Sequence, residues 1–214
     1  MTPKLAQAVD PIFLHVLNLL DRIADNHQPS APDEQMRIRA LLDQAEAIVG
    51  GGHEWDLAKY ALVSWIDEVL VDAPWDGSDW WSNQVLEVEL FKTRLCSEQF
   101  YVRAQEASTL SSRDALEVYY VCVILGFRGL YRDPHQAEML VESLGLPGDV
   151  ETGAKQVSMS IRLGQGRPPL ATSGRELRTA SPLRTKAAVV WPWVIAVMLL
   201  TCNLVGLWFW TKGP

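Results

Sequence analysis

The run AAVVWPWVIAVMLLTCNLVGLWFW, Ala187 to Trp210, holds 24 residues without a single charge, and it restricts this chain more than any other stretch does. As a helix it would extend roughly 36 Å at ~1.5 Å per residue, enough to cross a hydrocarbon layer of about 30 Å with some tilt. Helices inside soluble domains seldom stay apolar on every side for so long. Trp191 and Trp193 stand at one end and Trp208 and Trp210 at the other, as aromatic belts at two membrane interfaces do. Pro192 falls in the first turns, where a missing N–H breaks little. The expectation is one transmembrane helix over 187–210, with a buried core helix as the alternative. Thr201, Asn203 and Gly206 lie within it as candidates for packing against a partner helix, where such contacts average about 0.6 kcal/mol.

The flanks set the expected orientation. Arg175, Arg178, Arg184 and Lys186 precede the run and Lys212 follows it, so the positive-inside rule keeps the N-terminal part in the cytoplasm. The start, MTPKLAQAVDPIF, has no apolar stretch behind a basic one, and no cleaved secretory signal is expected. The reading is a tail-anchored chain with residues 211–214 on the far side. Cys96, Cys122 and Cys202 are odd in number and widely spaced, which points to reduced thiols rather than a disulfide framework or a zinc site.

Upstream, apolar residues recur at helical spacing. A first amphipathic helix is expected from Leu5 to about Asp25, and a second opens at Asp33 and Glu34 and stops at Gly50–Gly52. A third runs from His53 to about Ala73. Beyond a loop around WDGSD, helical patterns resume in NQVLEVELFKTRL, SEQFYVRAQEA, SRDALEVYYVCVILGF, DPHQAEMLVESLGL and VETGAKQVSMSIRLG. The soluble part, residues 1–163, therefore reads as all-α with six to eight helices. Residues 164–186 are rich in Gly, Pro, Ser and Thr and read as a linker. From Lys155 to Lys186 seven bases face one acid, Glu176. Such a tether gains about 1 kcal/mol per base beside an anionic leaflet; a nucleic-acid patch is the less economical alternative.

Charge is distributed unevenly in the soluble part. Between Tyr60 and Phe91 there is no Lys or Arg but seven acids, Asp67, Glu68, Asp72, Asp76, Asp79, Glu87 and Glu89, matching the net charge of −7 of the whole chain. Trp65, Trp75, Trp80 and Trp81 are interleaved with them. On a helical wheel Ala58, Ala61, Leu62, Trp65, Ile66, Val69 and Leu70 share the face expected to enter the core, and Asp67 and Glu68 fall opposite. No base lies three or four residues from either acid. The acids could be a polar face paired with Arg94, Arg103, Arg128 or Arg132. Equally, Asp67, Glu68, Asp72, Trp75, Asp76, Asp79, Trp80 and Trp81 could form a surface for a basic partner, with the tryptophans as anchors. Catalysis fits less well, because adjacent carboxylates diverge by about 100° around a helix and cannot flank a scissile bond. DGSDWWSNQVLE lacks the ligand order of a calcium loop, HEWDL lacks the second His of a zincin, and VGGGHE is neither a P-loop nor a dinucleotide fingerprint. His15, His27 and His135 are isolated, and Ser64 has no His in a triad arrangement. No catalytic residue, cofactor, metal or small-molecule substrate is expected.

YALVSWIDEVLVDAPW, WW followed by LEVELFKTRLCSEQFY, LEVYYVCVILGFRGLYR and IRLGQGRP stand in an order and spacing that resemble the DotU/IcmH (TssL) family of the bacterial type VI secretion membrane complex. RLCSEQFY departs from the family, which usually has a glycine pair there, and the peptidoglycan-binding domain fused to some members is not expected after the apolar run. The resemblance implies a hook-like pair of small cytoplasmic helix bundles, tail-anchored in the inner membrane with a periplasmic C-terminus. It also implies docking to an IcmF-like (TssM) membrane protein and to baseplate components, and indirect association with an outer-membrane lipoprotein. Asp67 and Glu68 match the family's DE pair at an interaction cleft. Gly126 and Gly129 would allow a tight helix end, and Arg128 or Arg132 would supply counter-charges. A homodimer, a type IV secretion scaffold of the same family, and a membrane-tethered hydrolase using Asp67 and Glu68 remain as alternatives.

Overall fold

The computed structural model describes residues 1–164, and the apolar run, the linker and the tail, with Thr201, Asn203 and Gly206, lie outside them. All regular structure among the described residues is helical: α1 (Pro3–Ala24), α2 (Ala31–Val49), α3 (His53–Asp72), α4 (Ser78–Asn83), α5 (Leu86–Phe91), α6 (Cys96–Thr109), α7 (Asp114–Ile124), a 3-10 turn (Gly129–Arg132), α8 (Pro134–Ser143) and α9 (Val150–Gly164). None of these helices is long and apolar enough to cross a membrane.

Local sequence accounts for the helix ends. The Thr2 hydroxyl accepts the Leu5 N–H at the start of α1, beside Pro3, whose fixed φ suits a first turn. α2 carries Asp33 and Glu34 in its first turn, where the helix dipole favours acids. It stops at Gly50 with φ 87°, a conformation that side chains with a Cβ rarely adopt. The α-helices among the described residues number nine, one above the six to eight expected. α4 begins inside the expected WDGSD loop, and the long helix expected over NQVLEVELFKTRL shrinks to α5, ended by Lys92 in the left-handed region at φ 59°.

α1 packs on α2, and Glu34 is buried at that contact, accepting hydrogen bonds from Arg22 at 2.9 Å and Arg37 at 3.0 Å and lying 2.9 Å from His15 Nε2. Burial would raise this carboxyl, but Arg22 and His15 outweigh it and hold it below the usual range, so its contribution to stability is lost as pH falls. α3 packs against α4, α5, α6 and α7, and α7 against α9.

Here the structure corrects the helical wheel. α3 is enclosed almost all round, with Tyr60, Val63, Ser64 and Asp67 buried as fully as Leu62 and Ile66, while Val69, expected in the core, is only half-buried. The cause is α4 and α5, which cover the side of α3 that the apolar pattern leaves polar. The core therefore responds to truncation along the length of α3. Leu62→Ala is expected to cost about 2–5 kcal/mol and Met36→Ala, 70% exposed, less than about 0.5 kcal/mol, read by urea unfolding of the full chain.

Candidate functional site

The acids of residues 67–89 divide into an interior group and an exposed group. Asp67, 3% exposed, points from α3 toward α4 and α5. Its Oδ1 accepts the Trp81 indole N–H at 2.9 Å and the Leu86 amide at 2.9 Å, and its Oδ2 accepts the Glu87 amide at 2.8 Å. Leu86 and Glu87 open α5, whose N-cap residue, Val85, has no side chain able to cap it. The first N–H groups of a helix have no partner within it, so Asp67 caps α5 from a different helix.

Glu87, 1% exposed, performs the same task one element further on. It accepts the amides of Leu95 at 2.9 Å and Cys96 at 3.1 Å, where α6 begins. The Tyr60 and Thr93 hydroxyls also donate to it, each at 2.8 Å. Glu68 accepts the amides of Arg128 at 2.7 Å and Gly129 at 2.9 Å, at the entrance to the 3-10 turn. Three carboxylates thus satisfy three helix starts. Hydrogen bonds to an ionised acceptor contribute roughly 1.5–3 kcal/mol each, which offsets part of the cost of burying the charge without a buried base.

A base does reach the rim. Arg132 lies 3.4 Å from Glu68 and forks onto both oxygens of Asp72, with one arm at 2.8 Å. Arg128, the other candidate, turns its guanidinium onto the carbonyls of Val123 and Phe127 instead. Arg103 stacks over the Tyr60 ring at 4.0 Å, and Arg94 donates to the Ser82 carbonyl. Gly126, just beyond the end of α7, has φ 111°, and Gly129 sits at φ 51°. A Cβ on Gly129 would meet the Phe127 ring at 2.7 Å, so that residue is fixed by space as well as by conformation.

The eight residues expected to form one partner surface are not together on the outside. Asp67, Trp75 and Trp81 are interior, which corrects the reading of them as exposed anchors: the Trp81 indole donates to Asp67 and the Trp75 indole to the Leu70 carbonyl at 2.9 Å. Glu68 is mostly covered by the 128–132 segment that it binds. Asp72, Asp76 and Asp79 are exposed and Trp80 half-buried. Two residues that the sequence reading did not single out, Glu87 and Tyr60, complete the interior network. A charged residue among Val85, Leu86, Val88 and Leu90 was the available signal for Glu87.

Burial pushes the Asp67 carboxyl up to about 6, against the lowering effect of its three donors and with further help from the Glu87 charge. Burial and Glu87 likewise push the Cys96 thiol up to about 12, so it is not a reactive thiolate. All the donors around Asp67 are N–H groups, and no side of it is open to a substrate. Among the described residues no three His, Cys, Asp or Glu side chains are grouped to hold a metal.

Fold and site together define an all-helical domain whose interior acids set the positions of its own helices rather than assemble reactive groups. The chain belongs to the DotU family: the description of the type VI secretion system protein DotU matches residues 4–212. Among solved structures, the cytoplasmic domain of TssL from Acinetobacter baumannii is similar in fold, with a TM-score of 0.59 and 23% identity over 76% of this chain and 99% of that one. Curated proteins give no significant match.

The raised Asp67 pKa gives a signed prediction. The folded state holds this proton more tightly than the unfolded chain, so the contribution of Asp67 is full below about pH 4 and is lost as pH rises through about 6. Asp67→Asn does not titrate, and Glu34 is common to both proteins, so its opposite slope cancels in their difference. The stability advantage of wild type over Asp67→Asn should therefore shrink between pH 4.5 and 7.5, measured by thermal unfolding at both. A constant difference would contradict the assignment.

Proposed function

We propose that this protein is a non-enzymatic assembly subunit of a type VI secretion membrane complex. Residues 1–163 work in the cytoplasm as the family's hook-like pair of small bundles, 164–186 form a basic tether, 187–210 anchor the chain in the bacterial inner membrane, and 211–214 reach the periplasm. What supports this reading is the family membership, which takes in both the helical domain and the uncharged run. The cytoplasmic domain docks an IcmF-like membrane protein and baseplate components, and the outer-membrane lipoprotein associates indirectly. Thr201, Asn203 and Gly206 pack against a partner span, that of the IcmF-like protein or of a second copy.

The docking surface is the exposed remainder of the acidic region, Asp72, Asp76 and Asp79 with Trp80 at its edge. Asp67, Glu68, Trp75 and Trp81 shape this surface from beneath. Charge there steers a basic partner and sets specificity more than it sets total affinity. This division decides which variant is informative: a lysine at 67 would strand the amides of Leu86 and Glu87 and test folding, not docking.

Pull-down of the full chain from native membranes, read by mass spectrometry, is expected to recover an IcmF-like protein and baseplate subunits. Asp76→Lys/Asp79→Lys should keep the helical circular dichroism spectrum and lose at least one of them about tenfold. Recovery of type IV secretion components in their place would move the assignment to that system. Equal recovery with wild type and variant would remove the docking role of this surface.

A further inference from the structure

α9 rests on α7 with open space along both of its flanks. A cavity of about 280 Å³ separates it from α6, and a wider groove of about 1090 Å³ lies on the side of α7 and α8, sharing Val123, Tyr131, Leu146, Val150 and Ala154 with the first. The groove adds Ile124, 61% exposed at the end of α7, and Val141. Among the described residues three acids line it, Glu142, Asp149 and Glu151, all exposed. The Thr152 amide and hydroxyl hold Asp149 below the usual carboxylate range, so it stays ionised. Among the described residues of the lining Arg128 is the cation, and its guanidinium donates to the Val123 and Phe127 carbonyls.

We propose that this groove is a second docking site, whose occupant is an amphipathic, basic helix of another protein. The floor supplies apolar side chains between helices, the setting in which a helix lays its apolar face. Charge selects among occupants. An anionic lipid surface is repelled by Glu142, Asp149 and Glu151, whereas Lys or Arg flanking an apolar stripe complements them. At its size and open to solvent, the groove encloses a small molecule poorly.

The site is separate from Asp72, Asp76 and Asp79, so its test is independent of the preceding one. The full chain in phosphatidylcholine nanodiscs would be titrated with a fluorescent Leu/Lys peptide of about 18 residues, long enough to hold a helix. Its apolar residues would stand at i, i+4 and i+7. Empty nanodiscs serve as the blank and a Leu/Glu peptide as the charge control. Binding of the Lys peptide is expected at least about tenfold tighter than that of the Glu peptide. It should weaken by a similar factor in Ile124→Asp and in Glu142→Lys/Glu151→Lys, and stay unchanged in Leu14→Asp on α1 and in Asp76→Lys/Asp79→Lys. Equal affinity for the two peptides, or binding that Ile124→Asp leaves intact, would overturn the proposal.

Discussion

An ionised carboxylate inside a protein demands compensation, and Asp67 obtains it from N–H groups alone. Two backbone amides and one indole surround it within 2.9 Å, and no ion pair reaches it among the described residues. The consequence passes from one acid to the next. Because Asp67 fixes the first turn of α5, Glu87 in that turn is aimed at the first turn of α6, and α6 carries Phe100 onto Phe127, the two rings stacked at 3.9 Å. Glu68, one residue along α3 from Asp67, holds the 128–129 backbone from the other side. Short connecting segments that have weak helical propensity of their own are thereby located by a single long helix.

Hydrophobic spacing was sufficient to locate α1, α2, α3, α6, α7, α8 and α9, since each of these carries an apolar stripe or a strong end signal. It could not find α4 or reduce the expected helix at 83–95 to α5. Six-residue helices contain less than two turns of pattern; both pack on α3, whose Asp67 accepts the Trp81 indole of α4 and caps the first turn of α5. The same blindness affected the acids. A helical wheel assigns a face to Asp67 but not the neighbour that covers it, and a pair of adjacent carboxylates reads alike whether it meets water or amides. Counter-charge was partly visible: Arg132 was among the candidates and does meet Glu68 and Asp72, whereas nothing in the spacing signalled that Asp67 would need none.

The distinction between interior and exposed acids also governs how the region can serve an assembly. A side chain engaged by three donors changes a partner's binding only by moving helices. Asp76 and Asp79, at the start of α4, can change without disturbing those bonds. On the proposed docking role, shape falls to Asp67, Glu68 and Glu87 and recognition to the exposed residues beyond them in the same acidic stretch.

The link from Glu87 to residues 95 and 96 has a consequence for how the chain may be divided. A fragment ending at Thr93 or Arg94, between α5 and α6, would retain Glu87 with Tyr60 and Thr93 but lose the Leu95 and Cys96 amides, leaving part of a buried negative charge without donors. The N-terminal helices are therefore not an excisable module, although a six-residue helix followed by a short connection is where a modular boundary would ordinarily be drawn.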